Sequence, residues 1–336
     1  MASVYLGDAP AAGAEPRDLR PLRSFWHPVA AETDIGDEPY GVTLLGELIV
    51  VFRGEDGVIR AFEDLCPHRG AQLSKGRIVG GRLMCPYHGF LYDGEGKCRY
   101  IPSQPKDNQK IPSRLKLAAY HTEVRYGLVW VAMEDPVAPI PEFPEWDDDS
   151  FHACLGFDRT WSTSAARFIE NAMDISHFPW VHEGSLGDPD HPELPPFEVK
   201  ETEHGMWYEY DWRLPDKGGH LGGEVHYTYW VEIPFAIRLR VRGEEGESAI
   251  FSATLPISDD RCRMWVLFAR NHSFDRPDSD WIDFSAHVWE EDQAVVETQR
   301  PERLPVDLTR EVHLRAADAP GIVYRDKLAE LGLEYA

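Results

Sequence analysis

The chain has 336 residues, 43% of them hydrophobic, and a formal net charge of −24, which is enough apolar material for two domains with separate cores. The excess of carboxylates argues against a nucleic-acid or anionic-membrane partner, and no apolar stretch approaches the roughly 18 residues of a membrane span. Five cysteines are too few and too scattered for a disulfide framework, and the N-terminus lacks a secretory pattern, so the expected setting is the cytoplasm.

Residues 1–20 are rich in Ala, Gly and Pro and read as a loose tail. From Pro21 to about Met133, short β-segments such as GVTLLGELIVVFRG and YGLVWVAM alternate with Gly- and charge-rich turns, the pattern of an all-β module. A proline-rich run closing in DDDS marks a boundary near residue 140, giving expected domains 21–140 and 141–336. The second domain opens on a helical pattern, SAARFIENAMDISHF, followed by a Gly/Pro/Asp loop over 183–196, which reads equally as an entrance cover or a surface crossing. From Val225 to Val241 every odd position is apolar or aromatic, the period-2 signature of antiparallel strands, with Pro234 dividing two strands or kinking one. Further strands at 249–255 and 263–270, a helix over about 281–299 and a closing amphipathic helix near the C-terminus make this half α+β, a curved antiparallel sheet packed on long helices.

Two short boxes in the first domain carry chemistry. Cys66-Pro-His68 and Cys85-Pro-Tyr-His88 are separated by sixteen residues, and two facing turns would bring two thiolates and two imidazoles to one centre. Ligand type leaves zinc open beside iron–sulfur. The order argues against zinc, because zinc modules usually group the cysteines in one box and the histidines in the other. Cys98, Cys154 and Cys262 fall in no pattern and read as small packed residues.

The second domain holds another set, ENAMDISHFPWVH over 170–182. On a continuous helix Asn171, Asp174 and His177 share one face, and Pro179 disfavours helix at Phe178, letting the chain turn and return His182 to the same centre. Two histidines plus a carboxylate are what non-haem ferrous sites use. On a helical wheel of the 281–299 segment Asp292 falls within an apolar stripe of Trp281, Phe284, Val288 and Val295; Glu291 sits at its edge and Glu290 faces water. A carboxylate in such a stripe is costly unless paired or metal-bound. Arg238, Arg240 and Arg242 fall on the polar face of the period-2 stretch, where they read as solvated or as attracting a carboxylate substrate.

Through CPHRG and CPYHGF together, followed by the DxxHxxxxH pattern, the chain from about residue 22 onward resembles a Rieske non-haem iron oxygenase. Its closer likeness is to the phthalate dioxygenase, vanillate demethylase and dicamba monooxygenase branch. The resemblance implies a helix-grip catalytic domain, a [2Fe–2S] cluster on Cys66, Cys85, His68 and His88, and a mononuclear Fe(II) on His177, His182 and Asp292. It implies Asp174, with Asn171 a weaker candidate beside it, as the link by which His88 of one chain reaches the iron of its neighbour in a homotrimer or a multiple of one. Electrons would come from a separate NAD(P)H-dependent reductase, with or without an intermediary ferredoxin, since no dinucleotide fingerprint is present. The implied reaction uses O2 to hydroxylate or demethylate a small aromatic substrate. The alternatives are arene cis-dihydroxylation and, if the second site were no iron site, a non-catalytic electron carrier. The acidic surface reads as solubilising or as steering a basic redox partner.

Overall fold

The computed structural model describes residues 19–215 and 223–336; most of the tail expected over 1–20 lies outside the described residues. The chain divides into a unit ending at Ile140 and a unit Pro141–Ala336. Among the described residues no helix is long and apolar enough to cross a membrane.

The first unit is built from strands β1 (His27–Ala31), β2 (Tyr40–Leu44), β3 (Glu47–Arg53), β4 (Ile59–Glu63), β5 (Arg77–Val79), β6 (Arg82–Met84), β7 (Leu91–Tyr92), β8 (Cys98–Tyr100), β9 (Ala119–Arg125) and β10 (Leu128–Ala132). Six of them form an antiparallel sheet in the order β1-β10-β9-β4-β3-β2, and the four short ones form a second sheet, β5-β6-β7-β8. Phe52, Phe62, Leu73, Leu83 and Tyr92 pack around the two box cysteines in one apolar cluster, so the boxes spring from a core rather than from a free edge.

The second unit is α+β. Strands β11 (His152–Trp161), β12 (Lys200–Glu201), β13 (Gly205–Arg213), β14 (Glu224–Glu232), β15 (Ala236–Gly243), β16 (Gly246–Ser258) and β17 (Arg261–Arg270) form a seven-stranded sheet in the order β11-β17-β16-β15-β14-β13-β12. The alternating stretch is two strands, with Tyr227 opposite Val241 and Tyr229 opposite Leu239, and Pro234 in the turn between them, where its missing N–H costs no ladder bond. Helices α1 (Ala165–Met173) and α3 (Ser279–Val296) pack on this sheet, as does α4 (Ala319–Glu330). Buried Arg325 on α4 grips Glu170 on α1 through two bonds of 2.7 and 2.9 Å and reaches Glu311 at 2.6 Å; this charge-assisted fork fixes α1 against the C-terminal helix.

Three expectations are corrected. First, α1 stops at Met173, so Asn171, Asp174 and His177 do not share a helical face: Asp174 is the extended cap residue. Its carboxylate accepts the Ser176 N–H at 2.9 Å, offering the backbone a turn in place of helix, and the Tyr208 hydroxyl bonds the Met173 carbonyl. Pro179 does not interrupt a helix; it lies in the first turn of a separate one, α2 (Phe178–Val181), where no N–H is needed. Second, Val295 is 48% exposed and Val296 takes the buried place. Third, Arg238 and Arg240 are neither solvated nor substrate-facing. Both bond the buried Glu145, at 3.3 Å and 2.9 Å, Arg238 stacks on Trp230, and Arg242 pairs with Glu247.

Candidate metal centres

The two boxes fold into loops of the same form. In the first, the Gly70 N–H bonds the Cys66 carbonyl at 2.8 Å; in the second, the Gly89 N–H bonds the Cys85 carbonyl at 3.0 Å. Both glycines sit at φ +69°, a left-handed conformation that a side chain would strain. Cys66 and Cys85 are 2% and 1% exposed, whereas His68 and His88 lie at the surface with their Nδ1 atoms 3.2 Å apart. His68 stacks on Phe90, and His88 lies against the exposed Tyr87. Asp64, fully buried, accepts the Ser74 N–H at 2.6 Å and so ties down the segment after the first loop.

A residue that sequence reasoning missed is Tyr92, whose hydroxyl lies 3.1 Å from the Cys66 sulfur. A hydrogen bond from Cys85 pushes the Cys66 thiol well below the usual cysteine range, against burial and with help from Tyr92. Cys66 is thus biased toward thiolate, while the hydrogen bond to Cys66 and burial push Cys85 the other way; two buried sulfurs beneath two outward imidazoles suit a cluster whose inner iron takes sulfur and whose outer iron takes nitrogen. Tyr92 carried no spacing signal, because it reaches Cys66 from β7, 26 residues further along the chain.

In the second unit α2 is one turn long. His177 precedes it and His182 follows it, and their Nε2 atoms lie 3.2 Å apart. Asp292, on the buried side of α3, brings Oδ1 to 3.3 Å from one nitrogen and 3.1 Å from the other without an aligned hydrogen bond. These three side chains form a group able to hold a metal ion. The outer nitrogens explain their orientation. His177 Nδ1 lies 3.0 Å from Asp174 Oδ2 and His182 Nδ1 lies 2.8 Å from Glu291 Oε2. If each Nδ1–H donates to its carboxylate, both Nε2 lone pairs face Asp292 and a cation is the missing partner. A point roughly 2.1 Å from each ligand atom, the usual length for imidazole and carboxylate ligands, satisfies all three separations at once.

The electrostatics agree. Burial would lower His177, but the Asp174 and Asp292 carboxylates outweigh it and bring it up to about 9; Asp292 is held down to about 2 against its own burial by the two histidines. Glu291 is the second residue sequence reasoning left without a role; its place at the edge of the α3 stripe was the available signal. Glu290 points outward to Arg159, as the wheel implies.

A cavity of about 150 Å³ has His177, His182 and Asp292 in its wall, beside apolar groups including Phe178, Leu239 and Trp289. Asn171 lines it and also a polar cavity that Asp174 faces; its side-chain nitrogen has no hydrogen-bond partner among the described residues. Leu186, from the 183–196 loop, lines the apolar cavity too, and its carbonyl accepts the Trp212 indole N–H at 2.8 Å.

Comparison with known proteins agrees with this geometry. Residues 25–121 match the Rieske [2Fe-2S] domain, and residues 161–334 match the vanillate O-demethylase oxygenase C-terminal domain. The methylxanthine N1-demethylase NdmA of Pseudomonas putida is 34% identical over 92% of this chain and 89% of that protein; the methylxanthine N3-demethylase NdmB of the same species is 32% identical over 93% and 90%. The structure of NdmA with caffeine superposes with a TM-score of 0.85 at 33% identity, covering 93% of this chain and 91% of that one. With a cluster module, an iron-type triad and both domain matches in one chain, the protein belongs to the Rieske non-haem iron oxygenases of the vanillate O-demethylase branch, as the oxygenase component of a system that draws on a reductase and uses a [2Fe–2S] cluster and a mononuclear iron.

Proposed function

We propose that this chain is a monooxygenase that removes an N- or O-methyl group from a small, uncharged aromatic substrate. The carrying observation is an apolar cavity with the metal triad in its wall. A cavity near 150 Å³ suits roughly one aromatic ring system. Its one arginine, Arg270, is engaged by Asp278 at 2.6 Å, so no uncompensated charge favours a carboxylate substrate. Methylxanthines, on which the relatives NdmA and NdmB act by name, are of this chemical class.

The roles assigned are Cys66, Cys85, His68 and His88 for the cluster, and His177, His182 and Asp292 for the iron. Bound there, the cluster passes single electrons and the ferrous iron activates O2 beside the substrate. The chain's own residues orient and exclude. Asp174 and Glu291 hold the Nδ1 protons of the two histidines so that their Nε2 atoms face inward. Asp174, whose side chain is 30% exposed, accepts His88 from a neighbouring chain in a homotrimer, with Asn171 flanking it. The apolar wall keeps bulk water from the reacting methyl. The net change is R–CH3 + O2 + NADH + H+ giving R–H, formaldehyde, water and NAD+, the hydroxymethyl product of the first step losing formaldehyde. A donor drawing on NADH or NADPH, and five cysteines none of which is bridged, support a cytoplasmic setting.

The test is turnover of N-methylxanthines and O-methyl arenes with an NADH-dependent reductase under labelled O2. Formaldehyde released one-for-one with the demethylated product supports the reading. A cis-diol carrying both labelled atoms would replace it with arene dihydroxylation.

A further inference from the structure

We propose that a basic collar around the cluster loops is the landing surface for an acidic electron-donor protein. This reverses the expectation that an acidic chain recruits a basic partner. The proposal rests on the oxygenase reading above.

The chain has 58 acidic and 34 basic residues, yet 65–92, the segment that forms both cluster loops, contains no Asp or Glu and four cations, Arg69, Lys75, Arg77 and Arg82. A second segment, 100–118, adds Lys106, Lys110, Arg114 and Lys116 against Asp107 alone. It lies beside the second loop: a Cβ on Gly89 would sit 3.0 Å from Pro102, and Ile101, Leu115 and Leu117 share the apolar cluster that contains Cys66 and Cys85. The two segments together carry +7, leaving −31 on the rest of the chain.

All eight cations are exposed. Seven of them differ in pairing from five other cations of the same unit. Arg23, Arg53, Arg60, Lys97 and Arg99 each hold a carboxylate. Arg69, Arg77 and Arg82 form no ion pair among the described residues, and the same is true of Lys106, Lys110, Arg114 and Lys116. Register puts Arg77 opposite Met84, one residue before Cys85, while Arg69 adjoins His68 in sequence. Exposed Val79, 42% accessible and opposite Arg82 in the ladder, adds apolar contact beside the charges. Unpaired cations in and beside the cluster loops of an otherwise acidic molecule form a focusing field for a negatively charged partner, and such fields act mainly on the association rate. One electron would pass from the donor's reduced centre to the oxidised cluster, reducing one of two ferric ions to ferrous, with no bond made or broken.

The probe is a prereduced, strongly acidic plant-type ferredoxin mixed anaerobically with the intact oxygenase in a stopped-flow instrument. The second-order rate constant of cluster reduction is expected to fall at least roughly tenfold from about 0.01 M salt, where the screening length is about 30 Å, to about 1 M, where it is about 3 Å. The double variant Arg77→Glu/Lys110→Glu should be at least roughly tenfold slower at low salt and converge with the parent at high salt. Oxidation of the dithionite-reduced cluster by ferric cytochrome c, a basic protein, should respond in the opposite sense. Iron, sulfide and the reduced-cluster EPR signal should be the same in parent and variant. Equal rates for parent and variant with the ferredoxin at low salt, or a parental rate that does not fall with salt, would overturn the docking surface while leaving the oxygenase intact. A parent with no dithionite-reducible cluster would overturn both readings.

Discussion

Replacing Glu291 by Gln should weaken iron binding by about thirtyfold without unfolding the protein. His182 is 1% exposed, and its Nδ1 meets Glu291 Oε2 at 2.8 Å, while the Glu291 side chain is 30% exposed. A hydrogen bond to a charged group contributes roughly 1.5–3 kcal/mol, and partial exposure places this one toward the lower half, about 2 kcal/mol or about thirtyfold in affinity. The range of about 10–100-fold for losing an outer partner of a metal-bound histidine agrees. The assay is Fe(II) competition against a chromophoric chelator on anaerobic protein, with Glu290→Gln as the neighbour control. Glu290 is 58% exposed and pairs with Arg159, so its variant should bind iron like the parent. Equal affinities for the parent and Glu291→Gln would refute the argument that this carboxylate fixes the tautomer and aim of His182.

Asp174→Asn should leave cluster and iron contents near parental values while slowing turnover with a reductase by about 10–100-fold, since Asp174 orients His177 at 3.0 Å; metal analysis beside steady-state rates reads both. Burial pulls His27 down to about 4, so the unfolded chain takes up its proton first as pH falls. The stabilisation is complete above about 6.5 and declines toward pH 4 by about 3 kcal/mol. Urea midpoints of the parent and His27→Gln between pH 7.5 and 5 should show the flatter slope in the variant. Glu145→Ala strands Arg238 and Arg240, whose side chains are 11% and 28% exposed; a loss of about 3 kcal/mol in denaturant unfolding is expected, with less than about 1 kcal/mol indicating that water substitutes for the carboxylate.

The cluster boxes and the triad were legible because their chemistry is concentrated in short spacings and in one helical period. Asp292 was singled out from Glu290 and Glu291 by angle alone, and its burial at 4% exposed agrees. The path from Asp174 to His182 was not legible. A shared helix face predicted the same neighbours, but the chain achieves them with an Asx turn and a second helix, because Asp174 bonds its own backbone and Tyr208 takes the Met173 carbonyl. Arg238 and Arg240 were misread for a related reason: their partner, Glu145, lies 93 residues away from Arg238 in sequence. Tyr92 and Glu291 were missed because each acts through a contact across the fold, which no local pattern encodes.

The shortness of α2 has a mechanical consequence. A four-residue helix is far below the length that sustains itself in water, so the segment holding both histidines depends on outside anchors. Asp292 belongs to an 18-residue helix, and His182 is more than a hundred residues from that helix's carboxylates in sequence. An ion gripping all three would act as a staple across a long loop, contributing to folding as well as to chemistry. Loss of iron would then slacken the wall of the substrate cavity itself, since His177, Phe178, His182 and Leu186 are part of it. An enzyme built this way would lose grip on substrate and metal together, and substrate filling the cavity should in turn slow the escape of iron.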